Sequence, residues 1–144
     1  MGDQISADRQ AELQRYIDRW QADAEHGERR GPFDRVALTG ADVYWIAEQS
    51  GRDEQRYVPN LHLAGAHLTD ADLRFARLVG ADLSAAHMER ASIWAAMLGG
   101  ANIHEAHLEG AVLGFALLDK ADLQGARLEG STLSDATLEV ADLR

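Results

Sequence analysis

The sequence contains no cysteine, which excludes disulfide bonds, thiolate metal sites and a cysteine nucleophile. No apolar run reaches the roughly 18 residues that a membrane-spanning helix needs. Basic residues are also few, since 14 lysines and arginines stand against 24 aspartates and glutamates and the formal net charge is -10. This negative excess argues against a nucleic-acid-binding surface. Because the first residues lack the basic and apolar stretches of a signal peptide, we expect a cytoplasmic protein. From the charge and the short apolar runs, we expect that it binds neither nucleic acid nor membrane.

Proline and aromatic residues are scarce in the later part of the chain. Both prolines and six of the nine aromatic residues come before Asn60. After that point the sequence repeats every five residues. From Leu61 to Arg144 the first position of the repeat is alanine in 15 of 17 cases, and the third is always leucine, isoleucine or methionine. We therefore predict two parts, an N-terminal segment of residues 1–60 and a repeat array of residues 61–144.

A period of five residues fits neither regular secondary structure. On an α-helix it would spread the apolar residues around the axis, and on a flat strand it would turn each successive leucine to the opposite face. Each pentad must therefore contain a bend, with positions one and three pointing inward and positions two, four and five pointing outward. Ala-Asp-Leu at 81, 121 and 141 and Ala-Asn-Ile at 101 recur every twenty residues. Four pentads therefore make one coil with four sides.

The repeated Ala-Asp-Leu triplets resemble the motif of the pentapeptide-repeat family. They occur at residues 71–73, 81–83, 121–123 and 141–143. The resemblance implies a mainly β fold, a right-handed quadrilateral parallel β-helix. At four pentads per coil, the array is long enough for about four coils. Successive coils are expected to stack about 4.8 Å apart, the spacing between neighbouring strands.

The N-terminal segment is predicted to be a helical cap over the first coil. Ser6 is a suitable N-cap, Gly27 is a suitable stop, and the residues between them place one apolar stripe along a helix: Leu13, Tyr16, Ile17, Trp20 and Ala24. A second short helix is predicted after Thr39, because Thr39 and Asp42 resemble a capping box. An alternative remains open for residues 36–45, which are in phase with the later pentads and would then form an early part of the coil.

Histidines and glutamates recur on one outward side of the array. We call this set the His/Glu column, and it is a candidate binding surface: His67, His87, His107, Glu89, Glu109 and Glu129. Neutral imidazole and carboxylate are acceptable zinc ligands, and the pair also suits acid–base chemistry. The plainer interpretation is that Ala-His-Leu-Glu-Gly is a surface variant of the repeat. We therefore predict no metal site, no cofactor site and no catalytic residue, and we keep a metal-binding protein or an enzyme as an alternative.

Large apolar residues occupy outward positions on two adjoining sides of the array. We call this second set the apolar patch: Phe75, Trp94, Met97, Val112, Phe115 and Leu117. Clustered exposed apolar residues are typical of docking surfaces. The alternative is that the N-terminal helix folds back over them.

These features favour a non-catalytic module that binds a protein partner through its outer faces. The resemblance adds an alternative, because some members of the family imitate DNA, bind type II topoisomerases such as DNA gyrase and confer resistance to quinolones or toxins. We also expect a homodimer through the C-terminal coil, because no amphipathic segment after Arg144 covers the last apolar layer.

Overall fold

The computed structural model describes residues 4–23, 31–50 and 61–144, and it contains two helices followed by the repeat array. Helix α1 spans Ala7–Asp23 and helix α2 spans Gly40–Ser50. No helix in these described ranges is long and apolar enough to cross a membrane.

The array is a coil of single-residue parallel bridges, each joining a second-position residue to the residue twenty positions later. The bridges begin at His62 and continue to Asp142. On one side, for example, His67 pairs with His87, His87 with His107, and His107 with Arg127. This register confirms the four-sided coil that the sequence predicts. We number the sides one to four from the pentads that begin at residues 61, 66, 71 and 76.

Each pentad contains the bend that an odd repeat requires. The N–H of Ala86 donates to the carbonyl of Leu83, which closes a turn from the third position to the next first position. The fifth position inside this turn takes a positive φ, as in Ala85 at 53° and Gly125 at 68°. This left-handed conformation restores the inward direction, so the first- and third-position side chains of successive pentads face the axis.

The axis of the coil is filled by side chains. The first-position alanines at 71, 81, 91, 101, 111 and 121 are at most 6% exposed, and the third-position residues from Leu63 to Leu123 are at most 2% exposed. The predicted burial of both positions is therefore confirmed. Since the interior of the described array is packed, it leaves the outer faces and the end of the coil as surfaces on which ligands or partners could bind.

The N-terminal segment contains both of the structures that the sequence left open. Ala37 forms a parallel bridge with His67, and Phe33 and Leu38 are buried like third-position residues of the array. Helix α2 then begins at Gly40, and a β-carbon at that position would lie within 1.9 Å of the carbonyl oxygen of Asp72. Residues 31–39 therefore extend the coil, whereas residues 40–50 form the second predicted helix.

Helix α1 packs on the same end of the coil. Ser6 accepts a hydrogen bond from the N–H of Arg9, which confirms the predicted N-cap. Leu13 is fully buried in the same apolar cluster as Phe33 and Leu63, and Tyr16 contacts Phe33 edge-on. The side chain of Trp20, with Ala24 and Gly27, lies outside the described residues.

Candidate functional site

The His/Glu column lies on side two, where the ladder stacks equivalent residues of successive coils. The rings of His87 and His107 are stacked with centroids 4.4 Å apart, and His67 lies 4.6 Å from His87. This spacing follows from the parallel bridges, because second-position residues on neighbouring coils are direct partners. The three predicted histidines are therefore brought together.

Glu89 lies beside the Nδ1 edges of the two stacked rings. Its Oε1 is 3.1 Å from Nδ1 of His87 and 3.7 Å from Nδ1 of His107, while its Oε2 accepts a hydrogen bond from the hydroxyl of Thr69 at 2.9 Å. Burial raises the pKa of Glu89, but its own backbone N–H, His87 and Thr69 outweigh this effect and hold the pKa below its usual value. Glu89 is thus a charged acceptor held beside two imidazoles.

The other two glutamates of the column differ in their surroundings. Glu109 Oε1 is 3.9 Å from both Nδ1 of His107 and Nη1 of Arg127. Within the described ranges, no group donates a hydrogen bond to the buried Oε2 of Glu109. Glu129 is exposed and does not join the group formed by His87, Glu89 and His107.

The apolar patch lies on sides three and four. Trp94 contacts Phe75 at 5.1 Å and Phe115 at 5.5 Å between ring centroids, in both cases edge-on. Met97 and Leu117 form a parallel bridge on side four. Val112 lies on side three, one coil after the pentad that contains Trp94. All six residues are exposed, with Phe75 at 60% and Phe115 at 50%. Among the described residues, neither helix covers the patch.

Two members of this surface were missed by the sequence analysis. Val79 is also exposed and lies on side four with Met97 and Leu117. Gly114 lies under the indole, since a β-carbon there would be 3.0 Å from Cδ1 of Trp94. The twenty-residue period could have predicted the contact with Gly114, because Gly114 occupies the position equivalent to Trp94 on the next coil.

Arginines neutralise several carboxylates of the array. Arg90 pairs with Asp70 at 2.7 Å, and Arg74 pairs with Asp72 and Arg144 with Asp142, each at 2.6 Å. The hydrogen bonds from Arg144 are the main cause that lowers the pKa of Asp142 to about 2. Such exposed pairs contribute little to stability, but they reduce the negative field of the surface.

Comparison with known proteins identifies the repeat. The family model for pentapeptide repeats matches eight copies within residues 60–90 and 96–135. No curated protein sequence gives a significant match.

Three solved structures illustrate the similarity. A pentapeptide repeat protein from the cyanobacterium Cyanothece 51142 is 33% identical, with 64% of each chain covered and a TM-score of 0.55. One from the thylakoid lumen of Arabidopsis thaliana is 28% identical, with 58% of this chain and 49% of that chain covered and a TM-score of 0.41. One from Nostoc PCC 7120 is 29% identical, with 63% and 74% covered and a TM-score of 0.36. The chain spans less than two thirds of the first two of these proteins.

Proposed function

Because the chain belongs to the pentapeptide-repeat family, whose fold is the right-handed β-helix, we propose that it is a non-catalytic protein-interaction module. The observation that carries this proposal is the apolar patch. A partner can bury these exposed aromatic rings without any rearrangement, because the rings already contact one another. Such rings are suitable anchors of an interface. The rigid ladder beneath them keeps the rings in place, so little conformational entropy is lost on binding.

The partner that fits this surface is a protein with a complementary apolar groove. The patch extends around the edge between sides three and four, so it projects as a ridge of aromatic and aliphatic side chains. We propose that residues 1–60 have a separate role and cap the first coil, because α1 and α2 contribute Leu13, Val43 and Ile46 to the apolar cluster at that end. Function and capping then use different parts of the molecule.

Asparagine substitutions at the fifth position give a matched test of the patch. Phe75, Phe115 and Val140 all have a positive φ of 57–61°, a conformation that asparagine tolerates well. The Phe75→Asn and Phe115→Asn double variant is expected to lose a partner that the wild-type chain captures from lysate of its own organism. Val140→Asn, which removes a 78% exposed apolar residue that lies on side four in the last coil but outside the patch, is expected to keep the partner. Equal capture by all three chains would contradict the proposal.

A second candidate is mimicry of DNA toward a type II topoisomerase such as gyrase. One observation favours it, because the ladder on side one stacks three carboxylates, Asp82, Asp122 and Asp142, with Asn102 in the row between the first two. The array as a whole carries twelve acidic and six basic residues. Three ion pairs with arginine weaken this resemblance to the evenly charged DNA backbone. A DNA mimic inhibits supercoiling by gyrase and relieves its inhibition by quinolones, whereas an interaction module with another partner does neither.

We also propose that two copies associate through the last coil. The third-position residues Leu128, Leu133 and Leu138 are partly exposed there, unlike their buried equivalents in the inner coils. Pairing two such ends about a two-fold axis would bury this apolar layer with one self-complementary surface.

A further inference from the structure

The His/Glu column contains a group of three side chains that converge on one point. One ring nitrogen of His87, one of His107 and an oxygen of Glu89 all lie within 4.8 Å of one another. They come from two neighbouring coils, so the backbone ladder and not a flexible loop sets their separation. A hydrogen-bonded His–Glu pair needs only one imidazole nitrogen near the carboxylate oxygen, whereas here two imidazole nitrogens lie within 3.7 Å of the same oxygen.

Two of the three separations between these groups are close to those around a tetrahedral ion. Zinc binds imidazole nitrogen at about 2.0–2.1 Å, so two ligand atoms around it are about 3.4 Å apart. The separations from Glu89 Oε1 to the two Nδ1 atoms are 3.1 and 3.7 Å, on either side of that value. The two stacked rings would have to rotate to direct both nitrogens at one ion, and both rings are partly exposed.

A supporting residue already orients the carboxylate. The hydroxyl of Thr69 donates to Oε2 of Glu89 at 2.9 Å, which leaves Oε1 for the imidazoles. Metal-ligating groups are commonly fixed in this way by hydrogen bonds from outside the ligand set.

Glu109 supplies an independent observation. Its Oε2 is buried, and no described residue donates a hydrogen bond to it. A buried carboxylate oxygen without a donor is costly, and a nearby cation or its bound water removes that cost. Since Glu109 Oε1 is 3.9 Å from Nδ1 of His107, this negative charge lies beside the three converging ligands.

We propose that His87, Glu89 and His107 form a binding site for a divalent ion of the zinc class. The ligand atoms are Nδ1 of each histidine and Oε1 of Glu89, and the fourth position is open to water or to Glu109. Two imidazoles and one carboxylate favour zinc and similar transition metals over magnesium or calcium, which prefer oxygen ligands alone. The sequence alone favours a plain surface variant of the repeat, but the convergence of the three groups favours a ligand set. This site lies on side two and does not depend on the docking proposal for sides three and four.

Titration calorimetry of the full chain with zinc chloride, after treatment with a chelator, tests the site. We expect one zinc per chain, no detectable binding of magnesium, and a higher melting temperature with zinc. His87→Ala and His107→Ala are each expected to weaken zinc binding at least tenfold. Glu89→Gln is expected to do the same while keeping an acceptor for Thr69, and it guards against a loss of structure in the alanine variants.

His104→Ala is the matched control. His104 also lies beside a glutamate, with Nε2 at 3.5 Å from Glu105, but it is on side one and belongs to no converging group among the described residues. This variant is expected to bind zinc like the wild type. The proposal is overturned if the wild-type chain binds no zinc, if Glu89→Gln binds as tightly as the wild type, or if His104→Ala weakens binding as much as His87→Ala.

Discussion

Asp42 is the buried carboxylate that joins the two helices of the N-terminal segment. It is 1% exposed and accepts hydrogen bonds from Nε and Nη2 of Arg9 at 3.1 and 2.9 Å. It also accepts one from the N–H of Thr39, while its own N–H donates to the hydroxyl of Thr39. The capping box was predictable because Thr39 and Asp42 are neighbours in sequence. The contact with Arg9 was not, because it depends on how α1 packs.

The stability of the protein should therefore fall in acid. Burial raises the pKa of Asp42, but Arg9 and Thr39 outweigh it and hold the pKa below its usual value. A lowered pKa in the folded state stabilises the protein above the unfolded value of about 4, and this contribution is lost as the pH falls through the folded value. Urea unfolding across this range should show the loss in the wild type. Asp42→Asn should cost about 1–3 kcal/mol at neutral pH and show a smaller acid loss; an unchanged acid slope would contradict this.

The pentad is the element whose structure was most fully predictable. Its period, the inward alanine and leucine, and the need for a bend all follow from the repetition of residue types, whereas the structure shows that the bend lies at the fifth position. The extension of the coil by residues 31–39 was harder to predict. Ala37 pairs with a residue thirty positions later instead of twenty, because α2 lies between the two residues and interrupts the period.

The tight inner corner of the pentad gives a direct test of the packing. Ala101 is 1% exposed, so Ala101→Leu would force extra methyl groups into a filled axis. We expect a loss of about 1–3 kcal/mol in the free energy of unfolding, measured with urea. His104→Leu adds apolar volume to the outer face of the same pentad and should change this free energy by less than about 0.5 kcal/mol. Equal effects of the two substitutions would contradict the assignment of inner and outer positions.

The sites were less predictable than the elements that carry them. The twenty-residue period places His87 above His107, but only the side-chain conformations bring both Nδ1 atoms to one oxygen of Glu89. The twenty-residue period likewise places the residues of the apolar patch on adjoining sides of neighbouring coils. The seating of Trp94 on Gly114 depends on the ring orientation, which no repeat pattern specifies.

The proposed association of two copies is a property of the molecule as a whole. If the partly exposed last layer forms the interface, light scattering at micromolar concentration should give the mass of two chains. Leu138→Arg combined with Leu143→Glu introduces opposite charges into that layer and should give the mass of one chain. A wild-type mass of one chain would rule out this dimer.

At the scale of the whole molecule, the packed axis of the described array leaves its outer faces and its end for recognition, and the central proposal is that the apolar patch on the outer faces contacts a protein. Replacing Phe115 with the photoreactive benzoylphenylalanine keeps an aromatic ring at the centre of the patch. Glu105 is the control position, since it is exposed, has a similar positive φ of 55° and lies on side one, opposite side three. Irradiation in living cells is expected to cross-link the chain to another protein from position 115 and not from position 105. No cross-link from position 115, equal cross-links from both positions, or a product with only the mass of two copies of this chain would contradict the account.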